Sequence, residues 1–330
     1  MKVFHFLLVS LFISSISQHV FCGDNDILII ESYHSEYPWD KSYISGIQSI
    51  ISTEEYTFHR FQMDTKRVPK TEFKQKADEA WAYYQKISPR LVFLGDDNAL
   101  MLLINRLGKE NTPVVYLGTN TNPNETGINK YDNITGVLER PLIKKSIVQL
   151  KEVIPSIKKT LILFDDGTTS SAAIKEEFKG KTTTTLGGIA VSVQQIGALK
   201  EWEKTVLESK EQGFDAIIIG LYHTLKNDNN KSVDAEQLLL WTSGHSPIPL
   251  FAFWDFAVGA NKTIGGLVLY GYPQGEVAAK MALKILKGKS PKTIRPRVGE
   301  KGRYLYSKQQ LKKWDINLPS SLSSRADFVE

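Results

Sequence analysis

The chain has 330 residues, of which 42% are hydrophobic and 23% charged, the composition of a globular protein long enough to build one or two cores. Its formal net charge of +5 comes from scattered basic residues, so we expect no nucleic-acid partner and no membrane-surface patch. Its single cysteine, Cys22, excludes an intramolecular disulfide.

Residues 1–23 have the pattern of a secretory signal peptide. Lys2 precedes an apolar run over residues 3–13, and a more polar stretch follows before Cys22. The run is well short of the roughly 20 residues that a membrane-spanning helix needs, and no later run approaches that length. We therefore expect export to the periplasm. A lipoprotein anchored at Cys22 is disfavoured, because residues 19–21 are not the small residues expected before a lipid-attached cysteine.

Short apolar strands and amphipathic helices alternate along the first half of the remaining chain. This alternation indicates βαβ units and a parallel sheet. The predicted strands cover residues 27–30, 56–63, 91–94 and 113–117, and the predicted helices cover 41–52, 71–87 and 99–107.

The alternation restarts after residues 134–137, which predicts a second lobe of similar architecture without a close sequence repeat. A basic tail follows the last predicted strand–helix unit. The predicted helices cover residues 142–153, 171–178, 199–212, 235–242 and 275–286, and the strands cover 160–164, 190–193, 215–219, 250–253 and 265–270.

Aromatic and polar residues crowd at the ends of the predicted strands. Ligands of open α/β sheets gather outside the carboxyl ends of parallel strands, so these residues are the candidates for a binding site. The candidates in the first lobe are Ser32, Tyr33, His34, Trp39, Asp96, Asp97, Asn98, Thr119 and Asn120. The candidates in the second lobe are Asp166, Thr168, Tyr222, Trp254 and Asp255.

Aromatic rings and carboxylates occur on both sides of this predicted cleft. Aromatic faces suit a flat group or a cation, and a desolvated carboxylate needs a cation or several donors. Backbone N–H groups near Thr119 and Thr168 would hold a ligand carboxylate. The pattern therefore favours an amino acid or an amine. A sugar is the alternative, because the same side chains also bind hydroxyl groups.

Several candidates also have a purely structural interpretation, which the sequence leaves open. Tyr33 and Trp39 would then close the top of a sheet, and His34 would bond to loop backbone. The remaining side chains suit helix N-caps, where an oxygen accepts from a free backbone N–H. These N-cap candidates are Asp97, Asn98, Asp166 and Thr168.

A set of short motifs recurs in order from about residue 26 to residue 320. The motifs are Ser32-Tyr33-His34 with Pro38-Trp39, Gly95-Asp96-Asp97-Asn98-Ala99, Val114-Val115-Tyr116-Leu117-Gly118-Thr119-Asn120, Ile134-Thr135-Gly136-Val137, Gly265-Gly266, Ile285-Leu286-Lys287-Gly288, and Lys312-Lys313-Trp314-Asp315-Ile316 with Leu318-Pro319. In these motifs the chain resembles the type I periplasmic solute-binding proteins. More narrowly, it is similar to the ABC-transporter substrate-binding family of tryptophan-binding-protein type, which also supplies periplasmic sensor modules.

The resemblance implies an α/β fold of two doubly wound parallel-sheet lobes, joined by a three-crossing hinge, with the ligand between them. It places lobe one at residues 24–136 and 264–290, and lobe two at 137–263 and 291–330. The expected protein is a monomer without a cofactor. Its expected partners are a small-molecule ligand and either an ABC permease or a membrane receptor.

Three functions from different classes follow from these observations. The first is solute capture for an ABC importer, and the second is ligand sensing by a subunit that docks on a membrane receptor. The third, an exported enzyme, is disfavoured. The chain contains no G-x-S-x-G, H-E-x-x-H or phosphate-loop motif, and its histidines lack metal-ligand spacing. We therefore expect no catalytic residue and no metal site.

Overall fold

The computed structural model describes residues 25–299 and 302–330, and the predicted signal peptide with Cys22 lies outside these ranges. The strands are β1 (Asp26–Glu31), β2 (Thr57–Gln62), β3 (Leu91–Gly95), β4 (Val114–Thr119), β5 (Ile134–Glu139), β6 (Lys159–Asp165), β7 (Thr183–Leu186), β8 (Ile189–Ile196), β9 (Ala216–Ile219), β10 (Leu250–Ala252), β11 (Gly265–Leu269), β12 (Arg297–Gly299), β13 (Gly302–Ser307) and β14 (Ala326–Val329).

The helices surround these strands, and short 3₁₀ turns lie at Lys70–Glu72, Ile128–Lys130, Asp255–Ala257 and Pro291–Thr293. Within the described ranges, no helix has the length and apolar character to cross a membrane. The helices are α1 (Pro38–Gln48), α2 (Phe73–Ile87), α3 (Asp96–Leu107), α4 (Pro123–Thr126), α5 (Ile143–Val153), α6 (Thr168–Phe178), α7 (Leu199–Glu208), α8 (Ala235–His245), α9 (Gly271–Leu286), α10 (Lys308–Lys313) and α11 (Ser320–Ser323).

The first sheet has six parallel strands in the order β12-β5-β4-β3-β1-β2. Its central strands are continuous apolar runs because helices cover both faces. In β1, Ile27 and Ile29 join the cluster with the side chains of α1 and α9, whereas Leu28 and Ile30 join the cluster with α2 and α3. The alternating directions of neighbouring side chains thus build two cores around one sheet.

The second sheet has the order β10-β9-β6-β8-β7, and all its pairs are parallel except β7–β8. In β6, Leu161 and Leu163 pack with the side chains of α7 and α8, whereas Ile162 and Phe164 face the core that includes α5. A small third sheet, β11-β13-β14, lies beside β10. The two-lobed α/β architecture predicted from the sequence is confirmed.

The chain passes between the lobes three times: after β5, between β11 and α9, and between β12 and β13. Sheet membership differs from the predicted lobe boundaries at two segments. Strand β11 pairs with β13 in the second lobe, although the sequence analysis places residues 264–290 in lobe one. Strand β12 pairs with the edge strand β5 of the first lobe, although residues 291–330 are predicted in lobe two. The division of the remaining chain stays a prediction.

Helices α1 and α9 pack with their backbones in direct contact, because glycines occupy the crossing points. An added Cβ at Gly46 would lie 2.1 Å from the carbonyl oxygen of Tyr272, and one at Gly275 would lie 1.9 Å from that of Tyr43. Neither backbone has space to yield locally. This close packing fixes α1, which carries Trp39, against the sheet.

We predict that Gly275→Ala lowers the free energy of unfolding by about 1–3 kcal/mol, because the new methyl group overpacks the contact between α1 and α9. The control is Gly244→Ala in α8, where an added Cβ meets nothing within 4 Å. That variant should gain up to about 1 kcal/mol from helix propensity. Urea denaturation measures both values, and equal stability of the two variants would contradict the proposed close packing.

Candidate functional site

Side chains from both lobes surround a small space at the carboxyl ends of the strands, here called the inner cavity. Its volume is about 10 Å³, which is room for about one water molecule, so the lobes are closed upon each other. Its lining residues are Tyr33, Tyr37, Trp39, Lys66, Asp96, Glu139, Thr169, Leu221, Trp254 and Phe256.

Asp96, the first residue of α3, lies at the centre of this site. Its φ of 73° is in the left-handed region, which costs energy for a residue other than glycine and often marks a functional position. Its Oδ1 accepts hydrogen bonds from Tyr33 Oη (2.6 Å), from Thr169 Oγ1 (3.2 Å) and from the backbone N–H of Asp97 (3.2 Å). Because Thr169 belongs to the second lobe, the carboxylate of Asp96 joins the two lobes.

Glu139, the last residue of β5, supplies a second buried carboxylate at the first lobe crossing. It accepts from Trp254 Nε1 (2.7 Å) of the second lobe and from Asn120 Nδ2 (3.2 Å) of the first. The neighbouring Arg140 donates to the carbonyl oxygens of Glu139 (2.6 Å) and Asn120 (2.9 Å), which fixes the crossing against the loop after β4.

Burial dominates the electrostatics of both carboxyl groups. It raises the pKa of Asp96 to about 7, and the adjacent Asp97 adds to the rise. Burial, and then the charge of Asp96, raise the pKa of Glu139 well above its usual range. Carboxylates in such surroundings favour a cation or a proton beside them.

Aromatic rings form the walls of the inner cavity. Tyr33 and Tyr37 meet edge to face with ring centroids 4.8 Å apart, and Tyr37 lies 5.8 Å from Phe256. Phe256 stacks on Trp254 at 6.4 Å. Trp39 is also buried, and its Nε1 has no hydrogen-bond partner among the described residues. The walls therefore offer flat apolar faces and one free indole donor.

Two larger cavities flank the inner one, and both are lined by residues of the two lobes. The first outer cavity, of about 370 Å³, includes Thr65, Lys66, Asn98, Asp166 and Thr168 in its lining. The second outer cavity, of about 450 Å³, includes His34, Tyr37, Lys66, Tyr222 and His223. A clamshell that opens along this cleft would join all three spaces.

The structure brings four of the predicted site residues into the inner cavity and five into the outer cavities only. The four are Tyr33, Trp39, Asp96 and Trp254. The five are His34, Asn98, Asp166, Thr168 and Tyr222. Their contact with a ligand stays a prediction.

The other predicted residues lie outside the lining of these cavities. Ser32 Oγ donates to the carbonyl oxygen of Gly95 (2.6 Å) and accepts from the N–H of Ala99 (2.8 Å), so it supports the start of α3. Asp97 accepts from the N–H groups of Asn120 (3.1 Å) and Thr121 (2.8 Å), which braces the loop after β4. These hydrogen bonds give Ser32 and Asp97 structural roles.

Thr119 is the last residue of β4 and Asn120 begins the braced loop; both are buried, and Asn120 reaches the site through its hydrogen bond to Glu139. Asp255 follows Trp254 but turns away from the cavity, and its Oδ2 forms an ion pair with Arg303 (2.8 Å).

The capping alternative is wrong for the four N-cap candidates, because Gly95 and Gly167 occupy the N-cap positions of α3 and α6.

Six residues that line the inner cavity are absent from the candidate lists above. Four of them follow strand ends closely enough that the same rule would have identified them: Lys66 after β2, Glu139 at the end of β5, Leu221 after β9 and Phe256 after β10. The other two, Tyr37 and Thr169, are neighbours of predicted residues. Within the described residues, no cluster of three metal-ligating side chains is present.

Residues 106–330 match the family described as ABC transporter substrate binding protein. The chain belongs to this family. No curated protein matches it at a significant level.

Solved structures share the fold over nearly the whole chain. A domain from Streptococcus pneumoniae in complex with L-Trp is 19% identical, with a TM-score of 0.67, over 93% of this chain and 100% of that one. A conserved domain protein from Vibrio cholerae is 15% identical, with a TM-score of 0.70, over 93% of this chain and 100% of that one. A ligand-free, open substrate binding protein from Clostridium difficile is 14% identical, with a TM-score of 0.61, over 93% and 99%.

The raised pKa of Asp96 predicts how stability depends on pH. Because this carboxyl holds its proton up to about pH 7 when folded and only to about pH 4 when unfolded, its contribution to stability falls as pH rises from about 4 to about 7. Asp96→Asn removes the titration and keeps a neutral side chain. We therefore expect this variant to be more stable than the parent at pH 8 and to lose that advantage at pH 5.

Denaturation of both proteins at a series of pH values measures this difference. The charged and titratable groups around the Asp96 carboxyl are all retained in the variant: Tyr33, Asp40, Lys66, Asp97 and Glu139. A difference in stability between variant and parent that stays constant from pH 5 to pH 8 would show that Asp96 titrates normally.

Proposed function

We propose that the protein is an exported solute-binding protein that captures a small ligand carrying an ammonium group between its two lobes. The buried carboxylate of Asp96 is the observation that carries this proposal. Its backbone is strained, its hydrogen bonds reach both lobes, and it faces a cavity with aromatic walls. An amino acid or an amine offers the cation and the flat or apolar group that such a site accepts.

The hydrogen bonds across the cleft support a clamshell mechanism. Tyr33 Oη and Thr169 Oγ1 donate to Asp96 Oδ1 from opposite lobes, and Ser232 Oγ donates to the carbonyl oxygen of Arg67 (2.9 Å). The bonds from Thr169 and Ser232 need the lobes together, and a ligand that contacts both lobes adds to the same closed state. The inner cavity is too small for the ligand to enter while the lobes are closed, so we propose that binding begins with the lobes apart.

Membership of the ABC transporter substrate-binding family supports delivery of the ligand to an ABC importer as the cellular role. A monomer in the periplasm fits this role, and so does binding without chemical turnover. Uptake of the bound ligand by cells that lack this protein tests the proposal. Loss of uptake is expected for an importer subunit, whereas a sensing subunit would leave uptake intact and abolish a transcriptional or signalling response.

We predict that Asp96→Asn lowers the affinity for an ammonium ligand by roughly 100-fold, because a buried charge-assisted contact is lost. The matched control is Asp255→Asn, which removes a carboxylate paired with Arg303 outside the cavity and should change the affinity by less than about threefold. Calorimetric titration with a panel of amino acids, amines and sugars measures both effects.

Two results of that titration would contradict the ammonium proposal. The first is a sugar as the tightest ligand of the parent protein. The second is a similar, modest loss of affinity in Asp96→Asn and Asp255→Asn.

A separate experiment tests whether the protein converts its ligand. The ligand is incubated with the protein and recovered, and we expect to recover it chemically unchanged.

A further inference from the structure

Positive charge is concentrated in one stretch of the chain, between Glu276 and Glu300. This stretch contains seven basic residues and no acidic one, whereas the formal net charge of the whole chain is only +5. Seven positive charges against a total of +5 leave a net charge of −2 for the remaining residues. The distribution corrects the expectation that the basic residues are scattered.

Six of these side chains form an exposed surface, here called the basic pole. They follow the chain from the last turn of α9, through the 3₁₀ turn at Pro291–Thr293, to the start of β12: Lys284, Lys287, Lys289, Lys292, Arg295 and Arg297. Within the described residues, Lys292 alone of the six forms an ion pair, with Asp132 (2.9 Å). The other five cations therefore face solvent without a carboxylate partner in the described part of the chain.

The fold holds the basic pole at the end of the first lobe that lies away from the cleft. The N–H of Lys289 donates to the carbonyl oxygen of Lys284 (2.9 Å), which turns the chain sharply at the end of α9. Thr135 Oγ1, near the start of β5, donates to the carbonyl oxygen of Ile294 (2.6 Å). Because the cleft lies at the carboxyl ends of the strands, this contact near the amino end of β5 places the pole opposite to it.

The described chain begins at the same end of the lobe. Arg90, which precedes β3, donates from its backbone N–H to the carbonyl oxygen of Asp26 (2.8 Å) and from Nη2 to that of Leu286 (2.9 Å). One residue thus links the start of β1 to the end of α9. Residues 1–24, which include the predicted signal peptide, therefore join the described chain beside the basic pole. A signal peptide engages the membrane during export, so the pole would be held near the lipid.

The exposed acidic side chains of the neighbouring turns do not cancel the charge of the pole. Glu54 and Glu55 precede β2, which is the edge strand of the first sheet opposite to β12. Glu110 lies nearer, because its carbonyl oxygen accepts from Asn133 Nδ2 (3.0 Å), but the adjacent exposed Lys109 offsets its charge.

We propose that the basic pole docks the protein on an anionic phospholipid bilayer. The proposal goes beyond solute binding and does not depend on the identity of the ligand. Lysine ammonium groups on flexible stems are attracted to lipid phosphates as point charges, and each one near the surface strengthens binding roughly fivefold. Because the pole and the cleft lie at opposite ends of the first lobe, docking leaves the cleft accessible to the solute.

Co-sedimentation of the protein, purified after export, with lipid vesicles tests this proposal. One set of vesicles contains phosphatidylcholine alone, and the other also contains about one third phosphatidylglycerol. At low salt, we expect binding to the anionic vesicles to be at least about 100-fold tighter than binding to the neutral ones. Most of this binding should be lost at about 0.5 M salt, because ions screen exposed charges.

Two triple variants of equal net charge locate the docking surface. The pole variant, with Lys284→Gln, Lys287→Gln and Lys289→Gln, should bind the anionic vesicles roughly 30- to 100-fold more weakly than the parent. The control variant replaces three lysines of the second lobe that are exposed and form no ion pair within the described residues: Lys158→Gln, Lys181→Gln and Lys210→Gln. It should bind within about threefold of the parent. Thermal melts of both variants show whether the fold is intact.

Three outcomes would overturn the proposal. Equal binding of the parent to neutral and anionic vesicles would show that lipid charge does not direct docking. No binding to anionic vesicles at low salt would show that the pole meets another partner, such as an acidic protein surface. Equal losses in the two triple variants would show that net charge, and not the position of the pole, attracts the protein. None of these results bears on ligand affinity, so the docking and ammonium proposals fail separately.

Discussion

The hydrogen bonds of the Asp96 carboxylate are the interaction on which the closed structure depends. The left-handed backbone at the junction of β3 and α3 directs this carboxylate into the cleft, where Tyr33 and Thr169 donate to it from opposite lobes. Such a residue is retained only when its surroundings over-determine its conformation. The close packing of α1 and α9 provides part of that support, because it fixes Trp39 beside the glycine turn at Gly118, where an added Cβ would lie 3.1 Å from the indole nitrogen.

Much of the fold follows from the sequence, because apolar strands such as β1, β3 and β4 are buried on both faces and leave a continuous pattern. Residues 134–137 of β5 are expected only as the point after which the alternation restarts, and strands β7, β12, β13 and β14 were not predicted. They are short or partly exposed, and pairing with a distant segment defines them. Strand β11 has the ordinary pattern of a strand followed by a helix, and only its partner β13 places it in the second lobe.

The site was predictable to the extent that strand ends identify it. That rule found Tyr33, Asp96 and Trp254, but it says nothing about the direction of each side chain. Adjacent residues therefore received the same prediction and have different roles: Trp254 lines the inner cavity, whereas Asp255 pairs with Arg303. These directions follow from the tertiary packing around each turn, which a single sequence does not specify.

Charge balance connects closure of the lobes with the nature of the ligand. Two other buried carboxylates near the cleft are satisfied within the chain: Glu31 accepts from Arg60 at 2.6 and 2.7 Å, and Asp97 accepts from the loop after β4. Among the described residues, Asp40, Asp96 and Glu139 form no ion pair, and burial raises the pKa of all three, although Lys66 lines the same inner cavity as Asp96 and Glu139. The closed cleft thus holds more carboxyl groups than cations, and protons or a ligand cation would restore the balance. In the function that we propose, a ligand ammonium would be the more effective partner at neutral pH, because it would also contact both lobes. The cost of burying these carboxylates would then favour closure around a cationic ligand.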